Sequence, residues 1–439
     1  MIIKRDNYLN KLKERKNNGL IKVITGIRRS GKSFLLNNLF YDYLKKEKIK
    51  DKNIIKFAFD IDEDIDKLDA YYKDEPTKIY KKRKKTYKIN SKKFRAYIEE
   101  KTNNKDYFYL LIDEIQLLDD FVGTLNGFLR KKNFDIYVTG SNSKLLSSDI
   151  ITEFRGRGDQ IRIYPLSFKE FYENKNYEFS KAYKEYQYFG GMPFLININN
   201  DKQKAEYLKN LFDEVYIKDI VDRHSLYELD SFERLINELA SSIGSYTNPT
   251  NLEHYFNSEL HQSYSHNTIK NHIDYLKDSF LISEAKRYDI KGKQYIIANS
   301  KYYFVDIGLR NARINFRQSE PTHIMENIIY NELILRGYNV DIGIVEIPEK
   351  NKNNNNVLKK LEVDFVVNDF FNRYYIQSVY SLADSEKMNI ESRPFNIIDD
   401  NFKKIIIVND NIKPYNTEKG VKVISLEDFL LKFDDLEKI

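Results

Sequence analysis

Short apolar runs divided by polar, charge-rich stretches set the pattern of the first 170 residues. Ile21–Thr25 is a β-rich run that ends on a glycine, and a helix-compatible stretch follows from about Ser33 to Lys45. Asn53–Asp62 (NIIKFAFDID) predicts a second strand. Asp106–Leu118 (DYFYLLIDEIQLL) is a continuous apolar run closed by two acids, the pattern of a strand buried on both faces of a parallel sheet. Phe134–Leu146 repeats the scheme as strand, polar turn and helix. Strands alternating with helices predict a doubly wound α/β domain, ending near Ile161–Tyr172. A basic lead-in helix is expected over residues 1–20. The lysine- and tyrosine-rich insertion Lys67–Lys93 reads as a solvated loop.

Beyond residue 172 the pattern turns helical up to about 230, broken by YFGGMP (Tyr188–Pro193), where Gly-Gly before Met-Pro marks a sharp turn. Residues 231–310 predict helices and then a hairpin around Ile290–Ile296. Residues 320–439 return to mixed α and β, with a low-complexity polar loop at Glu349–Lys360.

Composition narrows the classes. A chain of 439 residues exceeds one ordinary core, so two or three domains are expected. Net charge is +6, from 72 cations against 66 anions, a mild bias rather than a dedicated nucleic-acid surface. With no cysteine, disulfides, Cys-based zinc sites and thiol nucleophiles are excluded. No apolar run approaches the ~20 residues that cross a bilayer, and the polar N-terminus carries no secretory apolar region. No membrane partner and a cytoplasmic location are therefore expected.

Gly26-Ile27-Arg28-Arg29-Ser30-Gly31-Lys32-Ser33 fits G-x-x-x-x-G-K-[ST], after a strand and at the mouth of a helix. Glycines let successive N–H groups point at phosphate oxygens, and the helix adds its positive end. Lys32 would reach the β- and γ-phosphates, and Ser33 would give its hydroxyl to Mg²⁺; Phe34 completes the nucleotide-binding set. Asp113, at the tip of YLLIDE, would hold the metal, and Glu114 would polarise the attacking water. Ser141 or Asn142, after the next strand, could sense the γ-phosphate. Arg155 and Arg157 in EFRGRG are candidate arginine fingers, acting within a chain or between subunits of a homo-oligomer.

ITGIRRSGKS, LLIDEIQ, TGSNSKLL, RGRG…PLSFKEF and YFGGMP, in this order, resemble the prokaryotic AAA-type ATPases related to the archaeal ATPases, whose C-terminal domain is uncharacterised. The resemblance covers nearly the whole chain. It implies ATP and Mg²⁺ as cofactors, nucleotide binding at Gly26–Ser33, metal at Ser33 and Asp113, and Glu114 as catalytic base. It implies no defined substrate.

Two further segments suggest partners. His261–Asp306 has the layout of a winged helix: Ser265 caps a helix from about His266 to Asp278, with Ile269, Ile273 and Leu276 on one face. Its exposed face and hairpin would offer Asn267, Lys270, Asn271, Lys291 and Lys293 to DNA. In the last segment, a helix with Glu326 and Glu332, a strand with Glu362 and Asp364, and a strand with Gln377 resemble the PD-(D/E)xK nuclease core. Glu332, Asp364 and Gln377 form the candidate vestigial site, because Val379 stands where the nuclease lysine belongs. The expected architecture is a P-loop NTPase parallel sheet (1–172), a helical and winged-helix domain (173–315) and a restriction-endonuclease-like α/β domain (316–439). The expected activity is Mg-dependent ATP hydrolysis coupled to a nucleic-acid or protein partner. The alternatives are a nucleotide-gated DNA- or partner-binding switch and an ATP-regulated nuclease.

Overall fold

A computed structural model describes residues 3–80, 87–104, 106–140, 154, 156–175, 177–226, 229–259, 264–350, 356–382 and 390–439. The chain forms two compact units, Met1–Tyr164 and Pro165–Ile439.

The first unit holds strands β1 (Ile21–Gly26), β2 (Ile54–Ala58), β3 (Lys78–Tyr80), β4 (Tyr87–Ile89), β5 (Phe108–Asp113), β6 (Phe134–Thr139) and β7 (Gly158–Ile163). Five of them make an all-parallel sheet in the order β2-β5-β6-β1-β7, the arrangement of a P-loop NTPase. Side chains alternate between two cores: Val23, Ile112 and Val138 pack with Phe57 and Phe94 on one face, Ile24, Leu111 and Tyr137 with Leu36 and Phe40 on the other. Burial on both faces explains why β5 reads as an unbroken apolar run. The β1 run contains one lysine, Lys22, which is wholly buried and paired with Asp135 of β6; the Tyr137 hydroxyl donates to the same carboxylate at 2.8 Å.

The helix after the glycine loop runs as Lys32–Phe34 and Tyr41–Lys46 with π-helical turns over Leu35–Phe40 between them. The insertion contains an ordered antiparallel ribbon, β3 with β4, in place of the expected plain loop. The helix expected after the polar turn that follows β6 lies outside the described residues.

The second unit is built on a nine-stranded sheet: β8 (Tyr246–Thr247), β9 (Ile282–Asp289), β10 (Gln294–Phe304), β11 (Asn339–Lys350), β12 (Asn356–Asp369), β13 (Asn372–Val379), β14 (Lys403–Val408), β15 (Tyr415–Asn416) and β16 (Lys422–Ser425). The order is β15-β16-β14-β13-β12-β11-β9-β10-β8. The hairpin β9–β10 therefore continues into the C-terminal strands, through parallel pairing of β9 with β11. The segment expected as a polar loop at 349–360 is instead the end of β11 and the start of β12, around residues 351–355, which are not described. The helix expected over MENIIYNELILRGYNV spans Pro321–Leu335; Gly337, at φ 97°, turns the chain into β11.

The helix His266–Asp278 matches its expected bounds, with Ser265 Oγ accepting from Thr268 N at 3.2 Å. Ile269, Ile273 and Leu276 are buried and Asn267, Lys270 and Asn271 are exposed, as the helical period requires. His272 lies among the buried residues, bonded to the Tyr264 hydroxyl and edge-on to Phe232. Burial, with a smaller contribution from His224, pushes its pKa down to about 4. The folded chain thus keeps His272 neutral while the unfolded chain protonates near 6.5. Its contribution is complete above pH 6.5 and falls by about 3 kcal/mol as the pH drops towards 4. A His272→Gln chain should therefore lose less stability than the parent between pH 6.5 and 4, measured by urea unfolding at each pH. Parallel curves would contradict the neutral buried state.

Candidate functional site

The phosphate-type loop joins β1 to the helical turn at Lys32. Gly26 has φ 138°, and a Cβ there would lie 2.1 Å from the Ile163 carbonyl oxygen of β7, so any side chain would force the strands apart. Arg29 and Gly31 take left-handed backbone at φ 60° and 94°. Apart from its immediate chain neighbours, no atom lies within 4 Å of where a Gly31 Cβ would stand. Leu35 N bonds Gly31 O at 2.9 Å, starting the helix. Ser30 Oγ closes the turn onto Ile27 O at 2.8 Å. Ile27 and Ser30 are buried, Arg28 is half-buried, and Arg29, Ser33 and Phe34 are exposed. Lys32 is 5% exposed, and its Nζ donates to the carbonyls of Gly26 and Ile27, each at 3.0 Å. Burial pushes its pKa down to about 8 against the opposing charges of Glu114 and Asp113.

Those two acids come from the C-terminal tip of β5. The intervening strand β6 ends on Thr139, whose hydroxyl donates to Asp113 Oδ1 and accepts from Glu114 N at 3.1 Å. Asn37, on the π-helical turns, donates to Asp113 Oδ2 at 3.3 Å. Glu114 has φ 51°, which turns the chain sharply at the strand end. Burial raises its pKa, opposed by the charge of Lys32 and by a hydrogen bond from the Gln116 amide. Asp60, just past β2, feels the charges of both Asp113 and Arg28. The loop, Lys32, Asp113 and Glu114 thus meet at the carboxyl ends of the parallel strands, where open α/β sheets take their ligands.

Thr139, Asn37 and Gln116 lie in segments the sequence reading covered, yet nothing in their spacing marked them: each acts through a strand or helix brought beside β5. Arg5 is a further case. From the N-terminal helical segment it donates to Tyr164 O at 2.7 Å and to Ser30 O at 3.4 Å, tying the loop to the end of the last strand. Arg157 is exposed, and its carbonyl accepts from Ile21 N at 2.8 Å, at the amino end of β1. Five residues of strand, about 16 Å, separate Ile21 from Gly26, so one chain does not bring Arg157 to its own Lys32. Asn142 and Arg155 lie outside the described residues.

Sequence comparison extends this picture. An uncharacterised protein of Haemophilus influenzae is 33% identical over 437 residues, covering 98% of this chain and 99% of that one. The chain belongs to the same family. A second relative, the uncharacterised protein MJ1544 of Methanocaldococcus jannaschii, is 29% identical over 431 residues, 93% of this chain and 85% of its own. In this family member residues 18–172 match the AAA domain family and residues 180–320 match a domain of unknown function. Similar solved structures include the Walker-type ATPase of Pyrococcus abyssi, with TM-score 0.46 and 14% identity over 71% of this chain and 96% of that one. The Aeropyrum pernix ORC2 protein gives TM-score 0.39 and 12% identity over 74% and 92%.

This family member carries a second polar cluster, in its second unit, around a cavity of about 560 Å³. Asp364 and Gln377, two of the three candidate vestigial residues, bond each other there: Gln377 Nε2 donates to Asp364 Oδ1 at 3.1 Å, and Ser378 Oγ donates to Oδ2 at 2.6 Å. Glu332 does not join them; it pairs with Arg336 at 2.9 Å one turn along its helix. The acid that the helix does contribute is Glu326. Helical spacing explains the exchange, since residues six apart point about 120° away from each other around a helix. A cation is also present, from a strand the sequence reading did not connect. Lys301 of β10 is 3% exposed and its Nζ donates to Glu326 at 2.9 Å and Glu362 at 2.6 Å. Burial opposes its charge, but Glu326, Glu362 and Asp364 outweigh burial and hold its pKa above the ordinary lysine value. Asp364 is pushed well up by burial and by Glu326.

Proposed function

We propose that the first unit binds and hydrolyses ATP with Mg²⁺, and that this turnover acts on a nucleic-acid or protein partner. The observation that carries the reading is the meeting of Lys32, Asp113 and Glu114 at one strand edge beside a glycine loop with open space at Gly31. The donor set suits the ligands: backbone N–H groups, an ammonium and a helix start for phosphate oxygens, a hydroxyl and a carboxylate for a hard divalent cation. Ser33 and Asp113 would hold Mg²⁺, which supplies charge neutralisation on the phosphates. Lys32 would exchange its two carbonyl partners for the β- and γ-phosphate oxygens. Thr139 and Asn37 fix the Asp113 carboxylate by donating to its two oxygens. Glu114 would take a proton from the attacking water at its carboxylate. Its raised pKa brings it nearer neutrality, where a general base works best. EDTA should reduce turnover of purified protein to background and added Mg²⁺ should restore it, measured as phosphate release. Metal-independent release would remove the assignment of Ser33 and Asp113.

The exposed Asn267, Lys270 and Asn271 on helix His266–Asp278, with Lys291 and Lys293 in the β9–β10 turn, favour DNA as the partner. ATP turnover measured with and without duplex DNA tests this; an unchanged rate points to a protein instead. For the second cluster we propose a structural charge network. Lys301 already neutralises the carboxylates that a nuclease would spend on metal.

A further inference from the structure

We infer that Gln116 is the positioning residue for Glu114, and that the ribbon β3–β4 is the lever that sets it. The inference rests on the ATPase reading for its consequence, and on contacts within the first unit for its geometry. Gln116 lies two residues past Glu114, in the helical turn Ile115–Leu117, and is 6% exposed. Its Nε2 donates to Glu114 Oε2, while its own Oε1 is buried without a partner among the described residues. A buried amide with an unspent acceptor costs stability that an apolar residue of the same shape would not. The return on that cost is orientation. Glu114 has three rotatable bonds and feels the attraction of Lys32 and Arg28 and the repulsion of Asp113. The amide fixes one carboxylate oxygen, which limits the directions in which the carboxylate can face a water.

The ribbon enters through the backbone of the same turn. Lys88 of β4 donates its Nζ to the Gln116 carbonyl oxygen. Ile89 pairs with Leu118 in a parallel bridge, and Asp119 N bonds Ile89 O at 2.9 Å. At this same end the ribbon is closed by Asn90 N to Thr77 O at 2.9 Å, just before the helix Ser91–Lys101. The turn that carries Gln116 is thus bonded on one side to the catalytic strand and on the other to the insertion. A partner that shifts the ribbon would shift the Gln116 amide and, with it, Glu114.

The test uses the full chain. Gln116→Met keeps length and burial but removes the donor. We expect kcat for ATP to fall roughly tenfold to a hundredfold with KM nearly unchanged. Lys88→Met should give a smaller loss of the same kind. In a Glu114→Gln background Gln116→Met should cost nothing further, because its effect runs through the carboxylate. A loss that multiplies in full on that background would show a merely structural role and overturn the proposal, as would an unchanged kcat. A second readout needs no activity. In protein labelled with ¹⁵N-glutamine, the Gln116 side-chain amide signal should move on Glu114→Gln substitution; a stationary signal overturns the inference. Absence of turnover in the parent chain would instead count against the ATPase reading and leave this readout to decide the contact.

Discussion

Glu114→Gln should lower ATP turnover by about 10²–10⁴-fold while leaving ATP affinity close to that of the parent. Glutamine keeps the shape of the carboxylate and can still meet the Gln116 amide through its carbonyl oxygen. What it loses is the ability to accept a proton. Affinity should survive because the groups proposed to grip phosphate, Lys32 and the loop amides, lie across the site on β1 and its helix. Lys32→Ala should fail differently, in binding and turnover together, since the ammonium sits inside the loop it would share with the nucleotide. Equilibrium titration with ATP, alongside phosphate release, separates the two outcomes. If Glu114→Gln turns over at the parent rate, another group takes the proton and the assignment of the base fails.

The motif of the proposed nucleotide site stands out in the sequence because the chemistry it would perform is local. The chain must turn over the five residues between β1 and the helix, so glycines stand at Gly26, the end of β1, and at Gly31, and the strand tip must carry acids, so Asp113 and Glu114 follow an apolar run. Such constraints leave a mark at fixed spacing. Thr139 and Asn37 left none. Their bonds to Asp113 exist only because β6 and the helix beyond the loop pack beside β5. Arg157 shows the converse: a residue type suited to the chemistry, placed by strand register at the amino end of β1, away from the loop. In the second unit the resemblance to the nuclease core named Asp364 and Gln377 for one site, and the sheet sets them side by side, but the choice of helix acid depended on rotation about the helix axis. Glu326 and Glu332 look equivalent in the sequence; only the packed helix separates them. Lys301 lies 76 residues before Gln377 and reaches the acids because β10 and β12 share one sheet, a fact of topology that no local motif encodes.

Lys301→Met should therefore destabilise the second unit by roughly 3–5 kcal/mol. The side chain is almost entirely buried, and removing its charge leaves Glu326 facing Glu362 and Asp364 with no cation among the groups that bond Lys301. The Tyr303 hydroxyl still donates to Glu326 at 2.6 Å, but one neutral donor does not balance that charge. The carboxylates would take up protons instead, so the loss should shrink as the pH falls. Pairing the change with Glu326→Gln removes one unbalanced charge and should recover part of the stability, which a loss of packing alone would not do. Hydrogen exchange of β10 and β12 amides reads the effect inside the unit, with protection falling in the single variant and returning in the double. The same arrangement predicts that plasmid DNA with Mg²⁺ or Mn²⁺ stays unnicked. If nicking occurs and Asp364→Ala abolishes it, the cluster is a working hydrolytic site and Lys301 is its missing lysine rather than a structural counter-ion. Full stability in Lys301→Met would equally sink the charge-network account, because a buried cation that can be deleted without cost was never balancing its neighbours.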